Sequence, residues 1–257
     1  MLRKLISLVF FAVLLTACTP SSPQPVRPVQ TQPAPPTPIR PTPAPGSLSI
    51  GSVSLSSSGT SPDYTIKTDI PVLQGLAPHR TEFNLRVSTL VQQETDAFKK
   101  GLADWTPVPG MMESSFMISY TVFSYDSRFA SIQLFEDVYM AGAAHPSHQI
   151  ISLVYDLQQG QDVALSQLFL PNSNYLQVIA DYCKAELRKR NIAFDDQQQG
   201  ADPSPENYTV WNLSSDGLVI TFNEYQVASY AAGPQTVVIP FAALKTIIDP
   251  QGPLAGK

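Results

Sequence analysis

The chain is poor in the residues that carry catalysis and cross-linking. Among 257 residues only two are cysteine and three histidine, and charged residues make up 14%. If Cys18 is consumed by modification, Cys183 has no intramolecular partner and no disulfide can form. Thirteen glycines never assemble a Gly-x-Gly-x-x-Gly turn or a Walker loop, so no phosphate cradle is present. A His-Glu-x-x-His helical pair is missing, as is a Gly-x-Ser-x-Gly elbow. Those two gaps exclude the best-marked zinc and serine hydrolase patterns. No metal and no cofactor is expected.

Proline is plentiful, and it is concentrated. Eleven of the 24 prolines fall in the 28 residues Thr19–Gly46. Such a run favours extended polyproline geometry over helix or sheet, with a reach on the order of 80 Å at about 3.1 Å per residue. Ahead of it, Arg3 and Lys4 precede the apolar run Leu5–Leu15, which is short for a bilayer span and reads as a signal segment over residues 1–17. Leu15-Thr16-Ala17-Cys18 has the form of a lipobox: a small residue before the cut, then a cysteine whose sulfur takes a diacylglycerol. The expectation is a lipoprotein anchored through Cys18 on the exported side of a membrane, at the cell envelope. Residues 18–61 would be its Pro/Ser-rich tether. An unlipidated secreted chain is the alternative.

From Ser47 onward there are 12 basic against 21 acidic residues, a net charge of −9. That excludes nucleic acid as a natural partner and suits basic proteins or small neutral ligands.

Ser47–Ser61 is Ser- and Gly-rich and is expected to be poorly ordered, with alternation at Leu48–Leu55 that could pair as an edge strand. Tyr64–Ile70 reads as a strand ended by Pro71. Thr81–Leu102 reads as a helix with Thr81 as N-cap and Phe83, Val87, Leu90, Val91, Phe98 and Leu102 on one face. Ser115–Tyr125, Phe129–Met140 and His148–Asp156 read as strands. Asn172–Asn191 reads as a second helix, with Leu176, Ile179, Cys183 and Leu187 inward and Asn172 or Ser173 as cap. Cys183 is then a buried thiol. Tyr208–Leu213 and Leu218–Phe222 flank a Ser214–Gly217 hairpin turn, and Thr236–Ile239 follows a long connection, Asn223–Pro234. Phe241–Ile248 closes the domain as a helix. This order predicts an α+β fold with mostly antiparallel sheets in meanders and two main helices packed on them. A division into two small lobes, 62–141 and 142–250, is an option, with 251–257 as a tail.

Asp216-Gly217-Leu218, Phe222-Asn223-Glu224-Tyr225-Gln226-Val227, Ser229-Tyr230-Ala231-Ala232-Gly233-Pro234 and Val238-Ile239-Pro240-Phe241 together resemble the C-terminal signature of the RsiV-like extracellular domain, domain of unknown function 3298. Members often carry domain of unknown function 4163 as a companion N-terminal half, which is also seen in PdaC-type peptidoglycan deacetylases. RsiV-like proteins are anti-sigma factors whose extracellular domain recognises lysozyme, a basic protein. The resemblance implies a binding module, and the deacetylase catalytic domain has no room in this chain.

The densest polar cluster is Glu136, Asp137, His145, Ser147 and His148. On one strand His145 and His148 would face opposite sides, which disfavours a metal site. Ser147 beside two histidines is sequence proximity only. Candidate binding residues are His145, Tyr225, Tyr230 and Trp211, aromatics suited to stacking on sugars or anchoring a protein interface. The expected function is a non-catalytic envelope binding or sensor lipoprotein that recognises a lysozyme-like wall-active enzyme or a peptidoglycan fragment. The alternatives are a peptidoglycan hydrolase or deacetylase, or its accessory domain, and a purely structural envelope protein.

Overall fold

A computed structural model of the chain describes residues 47–106, 110, 112–190 and 199–255. The expectations for the signal segment, Cys18 and the tether up to residue 46 lie outside the described residues.

The first half of the domain builds one sheet. Its strands are β1 (Ser49–Thr60), β2 (Asp63–Gln74), β3 (Ser114–Tyr125), β4 (Phe129–Tyr139), β5 (Ser147–Asp156) and β6 (Gln161–Asp162), side by side in chain order. All neighbours are antiparallel except β2 and β3, which run parallel across the crossover helix α1 (Arg80–Asp104). Period-two alternation decides which side chains meet that helix. Ile66, Ile70, Phe116, Ile118, Ile132 and Leu134 point to it and pack against Phe83, Val87, Val91, Phe98 and Leu102. Fully burying each such side chain is worth about 1.5–3 kcal/mol.

Several local expectations are corrected. The Ser-rich stretch from Ser49 to Thr60 is a full edge strand, as the alternation at Leu48–Leu55 allowed, and not part of a poorly ordered tether. β2 continues through Pro71, because beyond Thr68 it has no partner on its β3 side, the setting in which a strand tolerates proline. α1 is capped by the backbone at His79, whose φ is 47°, and not by Thr81. On either side of residue 141, β4 and β5 are adjacent antiparallel strands of one sheet.

The second half adds α2 (Tyr175–Arg190), then a three-stranded antiparallel sheet of β7 (Trp211–Leu213), β8 (Gly217–Phe222) and β9 (Gln235–Pro240), then the single-turn helix α3 (Phe241–Leu244). α2 starts at Tyr175, later than Asn172 or Ser173, and α3 is shorter than the Phe241–Ile248 helix expected. Ile179, Cys183 and Leu187 pack with Leu218, Ile220, Phe222, Val237 and Ile239. Burial pushes the Cys183 thiol up to about 12, against the pull of Arg190, so it is an inert core residue.

The other face of the small sheet docks on the large one through hydrogen bonds. Asn212, fully buried, donates to Ser131 Oγ at 3.1 Å and to the Ile132 carbonyl at 2.7 Å. Gln133 Nε2 donates to Asn212 Oδ1 and Thr221 Oγ1. Leu213 N donates to Ser131 Oγ, and Trp211 N to Ser152 Oγ. This seam covers only the Ser131–Gln133 end of β4. The outward residues further along, Phe135 and Asp137, keep partial exposure beside the connection that follows β8.

Candidate functional site

Alternation along β4 splits the sequence cluster. Glu136 points to the α1 side and Asp137 to the opposite face. Glu136 is 8% exposed, and its Oε2 has no hydrogen-bond partner among the described residues. Burial, and then the charge of Glu94 on α1, push its carboxyl up from 4.5 to about 7.

On the outer face, Asp137 stands directly across from His148 of β5. His148 Nε2 lies 3.0 Å from Asp137 Oδ2, and its Nδ1 lies 2.8 Å from Glu224 Oε1. Both ring nitrogens thus face carboxylate oxygens. His148 therefore ties β4 and β5 to the connection after β8. Its ring sits between Phe135, at 5.3 Å between centroids, and Tyr230, at 6.1 Å and 11° from parallel.

Tyr230 is the hub of the group. His145 packs on it at 4.8 Å and Tyr225 at 5.6 Å. His145 lies in the turn between β4 and β5, not on a strand, so the argument that it and His148 face apart does not apply. Its Nδ1 is 2.7 Å from the Pro146 carbonyl. Removal from water, with Glu224, Tyr225 and Asp137 nearby, pushes the Tyr230 hydroxyl up and keeps it a neutral donor. Tyr225 is 58% exposed and holds a left-handed backbone, φ 63°, a costly conformation for a bulky residue.

The connection is fixed from behind by Gln226. Its Nε2 donates to the carbonyls of Gly200 and Asn207, both at 2.9 Å, and its Oε1 accepts from Asn223 N. Beside the rings an open cleft of about 590 Å³ is lined by Met112, Ser115, Asp137, Tyr139 and His145 among others. A neighbouring cleft of about 290 Å³, over Met117 and Phe135, also reaches Asp137.

Of the expected binding residues, His145, Tyr225 and Tyr230 come together. Trp211 does not: it is 6% exposed, in the core with α2. Ser147 Oγ makes a 3.5 Å contact to the Val138 carbonyl, and no nucleophile–histidine pair forms around it. Glu224 and Phe135 are site residues that the sequence reading passed over. Phe135 had a signal: an aromatic at an outward strand position beside Asp137. Chemically the site is a stacking surface flanked by carboxylates, suited to binding a cation, a sugar ring or a protein side chain.

Residues 166–242 match the family model described as Protein of unknown function (DUF3298). The chain is 24% identical over 163 residues to the peptidoglycan-N-acetylmuramic acid deacetylase PdaC of Bacillus subtilis, covering 62% of this chain but only 35% of that protein. It is 22% identical over 162 residues to the immunogenic protein MPT64 of Mycobacterium tuberculosis, covering 62% of this chain and 69% of that one. A crystal structure of a DUF3298 family member from Bacteroides fragilis superposes with a TM-score of 0.62 at 15% identity, over 82% of this chain and 97% of that one. One from Pseudomonas aeruginosa gives 0.60 at 16%, over 79% and 95%. The fold is that of the DUF3298 structures, as the C-terminal signature implies.

Proposed function

We propose that this chain is a non-catalytic binding or sensor module of the cell envelope, anchored through lipidated Cys18, that recognises a basic, lysozyme-like wall-active enzyme. The observation that carries the reading is the convergence of His145, Tyr225 and Tyr230 in one accessible aromatic group, with Asp137 and Glu224 at its side. Aromatic anchors beside carboxylates fit a cationic protein surface, and a net charge of −9 steers such a partner in. A pull-down with lysozyme tests it. Retention at low salt, weaker at moderate salt, is expected. Tyr230→Ala should weaken it by about 2 kcal/mol, the scale of an interface anchor. Failure of the wild-type protein to retain lysozyme at either salt removes the reading.

A second reading is an accessory module that binds a peptidoglycan fragment. The similarity to PdaC favours it, together with the open stacking surface of Tyr225 and Tyr230. It expects co-sedimentation with purified peptidoglycan, insensitive to salt and lost in Tyr225→Ala.

A further inference from the structure

The two edges of the six-stranded sheet are treated differently. At one end β6 is two residues long, and Asp162 on it is held by Arg86 of α1 at 2.8 Å. A short, charged edge offers little to pair with. At the other end β1 is twelve residues long and pairs with β2 without one register break, whereas the β3–β4 ladder shifts between Val122 and Ser124. Its sequence, SIGSVSLSSSGT, contains no charge and no proline. Among the described residues no strand lies on its far side. Charge, proline, a bulge and shortness, four devices that blunt an edge, are all missing from it.

We propose that β1 is a self-association edge, at which two copies of this chain pair their β1 strands antiparallel about a two-fold axis at Ser54. One observation selects a second copy over an unrelated strand. Val53 and Leu55 are two residues apart on one face of β1, and both are exposed, at 44% and 57%. An axis at Ser54 sets Val53 of each copy opposite Leu55 of the other, so both apolar side chains gain a cross-strand partner twice over. The domain carries −9, so two copies repel overall and the contact must avoid adding charge to charge. β1 itself carries no charge, and the nearest one at the axis, Asp69 of β2, accepts a hydrogen bond from Ser54 Oγ.

The test uses the full chain with Cys18→Ala, which removes the lipid site and leaves Cys183, fully buried, as the remaining thiol. Sedimentation equilibrium should show a mass rising with concentration toward twice that of the monomer. Leu55→Lys, at an exposed position, should weaken dimerisation roughly tenfold or more while the thermal melt stays as in the parent. Adding Ser54→Cys should give a disulfide-linked dimer under mild oxidation. Cysteine at Ser52 or Ser56 should not, because each faces the other's position across the axis. A parent that stays monomeric at all concentrations, a dimer indifferent to Leu55→Lys, or faster cross-linking at Ser52 than at Ser54 overturns the proposal. None of these readouts involves lysozyme or peptidoglycan, so the result is independent of the function proposed above.

Discussion

At the scale of single residues, two side chains carry opposite kinds of strain. Tyr225 keeps a backbone that only glycine adopts freely, at a place where its ring is largely in solvent. Its conformation is therefore not repaid by burial. Tyr225→Gly should leave stability within about 1 kcal/mol of wild type, since relief of strain offsets the greater freedom of the unfolded chain. The same change should abolish whatever partner binding the ring supports; urea unfolding and the pull-down separate the two effects. Glu136 is strained electrostatically. Its folded carboxyl titrates near 7 against an ordinary value of 4.5, so between those values the folded state holds more protons than the unfolded one. Stability contributed there is lost as pH rises from about 4.5 through about 7. Glu136→Gln should remove that slope and raise stability above pH 7 by about 2 kcal/mol, measured by chemical denaturation across pH.

At the scale of elements, the connection between β8 and β9 is shaped by a close backbone approach. A Cβ on Gly200 would lie 1.7 Å from the Gln226 carbonyl oxygen, which no side-chain movement relieves. Gly200→Ala should cost about 2–3 kcal/mol, read as a drop in melting temperature, and should loosen the loop that presents Tyr225 and Tyr230. This packing is what the sequence could not display. Periodicity identified the buried faces of α1 and α2, the alternation of β3 to β5 and the hairpin at Ser214–Gly217, because each is written in local spacing. His145, Tyr225 and Tyr230 stood out as aromatics near breaks in pattern. Trp211 was misplaced because β7 is buried on both faces, so its neighbours show no alternation. In β1 the alternation at Leu48–Leu55 hints at an edge strand, but the serines after it carry no hydrophobic signal, although the backbone there pairs as well as any. Glu224 becomes a site residue only when β8 has docked on β4 and β5, a contact 76 residues apart along the chain from His148.

At the scale of the whole molecule, the proposed function gives attachment to Cys18 and recognition to the folded domain. If the anchor proposed for Cys18 is correct, Cys18→Ser should move the protein from the membrane fraction to the soluble fraction without altering the melt of the folded domain, and membrane fractionation with immunodetection checks it. Retention of Cys18→Ser in the membrane fraction would remove the anchor from the account. The position of β1 has a mechanical side. The first strand among the described residues, β1, borders the large sheet, and its Ser49 and Ile50 pair with Gln74 and Leu73 at the far end of β2. A pull on the chain entering there loads the ladder at its terminal rung and opens it one pair at a time, as a zip fastener opens. The α1-backed strands behind it are not sheared. Tension from the leading segment would thus be dissipated in one sacrificial ribbon, leaving the aromatic hub on the opposite sheet face undisturbed.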